Sequence, residues 1–163
     1  SILALPPLNV LRGSDLPASF AQGRAEITAA IDMPLGRDIV PEQRIWSASA
    51  QVRDVRSEVL IPGQVITASS LEVRADRESL VVRGPARLGN VGGNVTFSRA
   101  LGAGSEGTAR VEADVTIGPA FLNAFNVNLP RGMVSGEAPA QLSVDLSDAS
   151  APQFRLTSNL RGI

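Results

Sequence analysis

Histidine, cysteine, tyrosine and lysine are all missing from this 163-residue chain, and each absence closes off a chemistry. Without Cys there is no disulfide, no thiol nucleophile and no thiolate metal site. Without His there is no imidazole base and no His-bearing metal centre, so most nucleophilic triads and zinc sites are excluded. Without Lys every basic side chain is Arg. The 15 basic and 16 acidic residues leave a formal charge of −1, and the Arg residues are scattered rather than gathered into a stripe, so no nucleic-acid surface is expected. Aromatics are scarce as well: Trp46, Phe20, Phe97, Phe121, Phe125 and Phe154. No run approaches the roughly 18 consecutive apolar residues that a membrane-spanning helix needs. The lack of Cys does not choose a compartment.

What the chain has in quantity is alternation. Ala109-Arg110-Val111-Glu112-Ala113-Asp114-Val115-Thr116-Ile117 is the clearest stretch. A period of two sets Ala109, Val111, Ala113, Val115 and Ile117 on one face of a strand and the polar residues on the other. The pattern returns until most of the chain reads as antiparallel sheet with one greasy and one wet surface. The length suits one domain. The expected fold is all-β: a curled antiparallel sheet, taco-like or open-barrel-like, of short hairpins and long strands.

Residues 6–21 read as loop, with Leu8–Leu11 as a short edge strand at most. Gly23 opens a strand carrying Ala25, Ile27, Ala29 and Ile31 on one face, and Pro34 ends it. Strand pattern resumes at Ile45–Val55. Short strands follow at Glu58–Ile61, Val65–Thr67, Leu71–Ala75 and Leu80–Arg83, punctuated by Pro62-Gly63, the polar hairpin Asp76–Ser79, Gly84-Pro85 and Gly89-Asn90. Gly92–Phe97 is another strand. The glycine-rich stretch 101–107 is the best internal boundary, although the whole chain, 1–163, reads as one β-rich segment. Thr108–Ile117 is a long strand. Gly118-Pro119 then starts a short helix near residues 119–126, because Pro at a first helical position loses no required donor. Met133–Leu146 gives a strand bent near Gly136 and Pro139, with Ala140, Leu142, Val144 and Leu146 inward. Phe154, Leu156, Ser158 and Leu160 repeat the alternation.

The opening Ser1–Leu8 lacks an initiating Met and a basic flank, and Asn159–Ile163 stops just after a strand-like run. Both ends lead us to expect a piece of a longer chain, with unpaired strand edges near residues 22–33 and 153–161.

Chemical motifs are weak. Glu26 with Asp32, Glu72 with Asp76, and Glu112 with Asp114 are the nearest carboxylate pairs, but each lies on or near the wet face, where carboxylates solubilise. Asp145 and Asp148 lack the ligand density of a calcium loop. Gly89–Asn94 precedes a strand and has no Lys, so a hairpin or bulge reading displaces a phosphate cradle. We expect no catalytic residues, no metal and no cofactor.

The informative question is what the apolar face touches. Either protein fills it, as in a sealed structural or adhesive β module, or it stays partly open as a groove for acyl chains. The residues concerned are Ala109, Val111, Ala113, Val115, Ile117, Leu142, Val144, Leu146, Leu156 and Leu160.

Three stretches carry a resemblance that bears on this choice: Gly23–Gly36 ending in Met33-Pro34-Leu35; Ile45–Val82, with Val52-Arg53-Asp54-Val55 before paired short strands; and Val134–Gly162, with its Val134-Ser135-Gly136-Glu137 lead and its closing Leu160-Arg161-Gly162 step. Together they resemble an internal β-repeat segment of large AsmA-like envelope proteins, closest to the YhdP branch. The resemblance implies a bridge-like, non-enzymatic protein anchored in the inner membrane by a helix outside this segment. It further implies a periplasmic location and a stack of β repeats whose apolar groove passes phospholipids toward the outer membrane. The expected partners are then phospholipid acyl chains and neighbouring β repeats of the same protein.

Overall fold

The computed structural model describes residues 21–32, 45–58, 64–102, 108–127, 130, 135–147 and 150–162. Among these residues, alternation of small or β-branched apolar residues with polar ones produces eight strands, and one short helix joins them. These are β1 (Gln22–Asp32), β2 (Ile45–Ser57), β3 (Ile66–Asp76), β4 (Ser79–Leu88), β5 (Val91–Ala100), β6 (Thr108–Ile117), α1 (Pro119–Ala124), β7 (Ala138–Ser147) and β8 (Ser150–Ser158). The strands form one sheet in the order β1 to β8, each antiparallel to its sequence neighbours. The sheet is not closed into a barrel, and β1 and β8 are its two edges. The pairing of β5 with β6 carries the sheet across 101–107.

Residues directly opposite each other on paired strands share a face. Following the register across the sheet therefore traces apolar rows. Ile27, Ala50, Val73, Val82, Phe97, Val111, Val144 and Phe154 make one unbroken row over all eight strands. On the opposite face, the row of Glu26, Gln51, Glu72, Arg83, Thr96, Glu112, Ser143 and Arg155 is wholly polar.

Two expected strand ends are corrected. Val65–Thr67 and Leu71–Ala75 belong to one strand, β3, because a bulge joins them instead of a turn. Its register against β4 shifts between Thr67 and Glu72, so Leu71, Val73 and Ala75 share the apolar face with Ile66 and Ala68 despite the change of phase. Gly84-Pro85 likewise lies inside β4. Gly84 has φ 150°, and a Cβ there would lie 2.5 Å from the Ser70 carbonyl oxygen, so glycine lets β3 and β4 approach at the bulge. The irregularity extends to β1 and β2, whose register shifts between Gln22 and Arg24, next to Asp54 with φ 54°.

The start expected at Met133 lies outside the described residues; β7 begins at Ala138, after Gly136. Leu8–Leu11 and Glu58–Ile61 cannot be compared as strands, since 1–20 and 59–61 also lie outside them. The Asp76–Ser79 hairpin forms as expected. Asp76 Oδ1 accepts the N–H groups of Glu78 and Ser79, both at 2.8 Å.

The helix α1 sits on the apolar face at one end of β5–β7. Phe121 is its anchor, buried with Val91, Ile117, Ala138 and Ala140. Pro119 occupies the first turn, and Asn126, with φ 55°, follows the last. A helix this short does not persist alone, so the sheet contact holds it. Gln64 Nε2 adds a hydrogen bond to the Ala124 carbonyl at 3.2 Å.

Candidate functional site

The apolar face is the candidate site, and its residues fall into two groups. Under α1, Ile117 is buried and Val115 packs against the same cluster, so both serve the protein core there. Away from α1, Ala113 and Val144 are buried, while Ala109, Val111, Leu142 and Leu146 are half-buried. The register joins these positions on one surface: Val111 faces Val144, Ala113 faces Leu142, and Ala109 faces Leu146. Toward the edge, Leu142 meets Leu156 and Val144 meets Phe154.

Exposure rises steeply along that route. Leu156 is 45% exposed and Phe154 68%, on the last strand; at the other edge Ile27 is 41% exposed. Large apolar side chains on the outermost strands, all on one face, are costly to leave in water and mark a surface for contact. Leu160 does not join it. It follows the end of β8 in a left-handed conformation, φ 54°, so strand alternation does not reach it, and it is 59% exposed.

On the wet face Glu72, Asp76 and Asp145 take part in local hydrogen bonds or ion pairs, while Glu26, Glu112 and Asp114 lie on the same face without such a contact among the described residues. Arg110 Nε donates to Asp145 Oδ1 at 2.6 Å between directly opposed residues of β6 and β7. That hydrogen bond, followed by the attraction of the two charges, holds the guanidinium above its ordinary range. Arg74 Nε donates to Glu72 at 2.7 Å, and Asp76 closes its hairpin. The Asp76 carboxyl is held below its usual value, chiefly by the Glu78 N–H, with burial opposing and Ser79 reinforcing. Among the described residues no group of three or more His, Cys, Asp or Glu side chains is placed to hold a metal ion. The side chain of Asp32 and all of Asp148 lie outside the description. Two shallow depressions, about 470 and 320 Å³, also open mainly on this face. The first is lined by Thr67, Arg87, Asn94, Asp114 and Thr116, among others, and the second by Thr28, Ser47, Ser49 and Arg74 with their neighbours.

One residue of the apolar face escaped sequence reading. Arg99 is opposed by Leu80 on β4 and Ala109 on β6, which puts it on the greasy side. The signal was present: Val91, Gly93, Val95, Phe97 and Arg99 share a phase in β5, and the last of them breaks the apolar file. Arg99 is half-buried and makes no ion pair with any described residue. It stands at the end of the face away from α1.

Among the described residues no helix is long and apolar enough to cross a membrane. No family model, curated protein or solved structure matches the chain.

Proposed function

We propose that the chain is a non-enzymatic segment of a bridge-like lipid carrier of the AsmA-like kind, acting in the periplasm, with its apolar sheet face sheltering phospholipid acyl chains. The observation that carries this reading is the unbroken apolar row from Ile27 to Phe154 on a sheet that is not closed, with α1 the one helix packed on that face among the described residues and the row exposed toward both edges.

Each acyl methylene removed from water contributes about 0.8 kcal/mol, so even a partly sheltered chain is held. A file of aliphatic side chains offers similar affinity at successive positions, which suits sliding from one strand to the next. Neighbouring β repeats, added at β1 and β8, would lengthen the same face.

A photoreactive residue placed at Val144, in protein isolated from bacterial membranes, tests this directly. The expected result is a phospholipid adduct, with co-purified phospholipid in native mass spectrometry. A Val144 probe that captures only protein, with no bound lipid, refutes the reading. That result would favour the second one, a sealed structural or adhesive β module, for which the exposed Phe154 and Leu156 on an edge strand, unpaired on its outer side among the described residues, are the supporting observation.

A further inference from the structure

The apolar face has two unlike ends. At one, Phe121 of α1 closes over Val91, Ile117, Ala138 and Ala140. At the other stands Arg99, the one charged side chain that the register sets on this face among the described residues. Between them run Val95 and Phe97 of β5, with Ala113 and Val111 opposite.

We propose that this face holds a phospholipid in one orientation, its phosphate at Arg99 and an acyl chain lying along β5 and β6 toward Phe121. The inference rests on the lipid-carrying reading above and adds a polarity to it. Charge complementarity identifies the occupant. A half-buried Arg on an apolar surface, without an ion pair among the described residues, is unfavourable by itself, and an anion beside it offsets that cost. The planar fork of Arg matches phosphate oxygens in a bidentate manner.

Length agrees with this assignment. From Arg99 to Val91 the strand advances ~26 Å at about 3.3 Å per residue. One leaflet of a bilayer hydrocarbon core is about 15 Å deep, so an acyl chain fits between the cation and the helix with room for the headgroup. The helix then acts as an end stop. Its aromatic anchor occupies the apolar surface that a longer reach of the chain would need.

The experiment uses two photoreactive phosphatidylglycerol analogues, one with the reactive group near the headgroup and one at the acyl terminus, presented in phosphatidylglycerol vesicles to the chain. Adducts are mapped by peptide mass spectrometry. The expected result is head-labelled adducts around Leu80, Arg99 and Ala109, and tail-labelled adducts around Val91 and Phe121. R99Q is expected to reduce head-labelled adducts about tenfold, in line with loss of a charge-assisted hydrogen bond, and to weaken their dependence on salt. Matching maps from the two analogues overturn the orientation and leave the lipid-carrying reading standing; that is the result for a guanidinium that only reaches past the sheet into water. Absence of adducts on the whole apolar face from either analogue overturns both. The comparison of the two analogues on the unsubstituted chain is decisive even if R99Q fails to fold.

Discussion

The Ser70 carbonyl oxygen and Gly84 lie so close across β3 and β4 that a Cβ on the glycine would come within 2.5 Å of the oxygen. The same glycine has φ 150°, a backbone conformation that L side chains rarely adopt. Both effects act against any side chain at that position. Gly84→Ala is expected to cost at least about 2 kcal/mol in denaturant unfolding. Gly92→Ala is the control, since its Cβ would meet only the flexible Arg87 side chain at 3.4 Å. Equal midpoints for the two variants would rule out a close approach at the bulge.

The assigned faces of β6 predict unequal outcomes for two neighbouring sites. Val115→Asp puts a charge against the α1 cluster and should destabilise by about 3 kcal/mol or more. Arg110→Ala breaks only an exposed ion pair with Asp145 and should barely move the unfolding midpoint. Comparable losses in a urea series would mean that the strand is turned the other way.

Two phenylalanines on the same face should also behave differently. Phe121, buried at the centre of the core cluster, should cost about 3–5 kcal/mol on truncation to Ala. Phe154, mostly exposed on the edge strand, should change stability by no more than about 0.5 kcal/mol. Leu142→Ala belongs between them, at about 1–2 kcal/mol, because Leu142 is half-buried. Thermal melts of the three variants give the order.

The Asp76 hairpin imposes a pH dependence of known sign. Its carboxyl titrates below the ordinary 3.8 when folded, because the ionised form accepts the Glu78 and Ser79 N–H groups. The stability it supplies is present above that ordinary value and disappears as pH falls through the lower, folded one. Asp76→Asn should therefore flatten this acid limb while leaving a turn that can still accept hydrogen bonds. An unchanged acid limb in the variant would remove Asp76 from the account.

The outer sides of β1 and β8, unpaired among the described residues, predict self-association. Phe154→Lys places a charge among the exposed apolar groups of β8 and should lower association in light scattering, with the melting temperature unchanged. A more self-associating variant would locate the sticky surface elsewhere.

Legibility in the sequence followed the constancy of the period. β6 has the bounds its alternation predicted, α1 begins at the predicted Pro119, and the chain turns at Asp76–Ser79. Reading failed where the phase changed. The pattern divides Val65–Thr67 from Leu71–Ala75 because a bulge moves the apolar face from Ala68 to Leu71 without ending the strand. Gly84-Pro85 looked like a turn because the demand for glycine comes from the neighbouring strand, which local pattern does not contain. At the candidate site, alternation puts Ala109, Val111, Ala113, Val115 and Ile117 on one face of their strand and Leu142, Val144 and Leu146 on one face of theirs, but which of them α1 covers follows only from the folded chain. Alternation extends to Leu160 in the sequence, but β8 ends at Ser158 and the left-handed backbone at Leu160 breaks the orientation.

The unbroken sequence-neighbour pairing has a consequence for how such a chain changes its length. Each strand borrows its hydrogen-bonding partners only from the hairpin before and the hairpin after it. Duplication or loss of one hairpin would leave the ladders outside it in place, and each apolar row would simply gain or lose two positions, one for each strand. Stability in such an array is close to a sum of local and nearest-neighbour contributions. Reach becomes a quantity that evolution can adjust in steps of two strands, about 10 Å across the sheet for each hairpin.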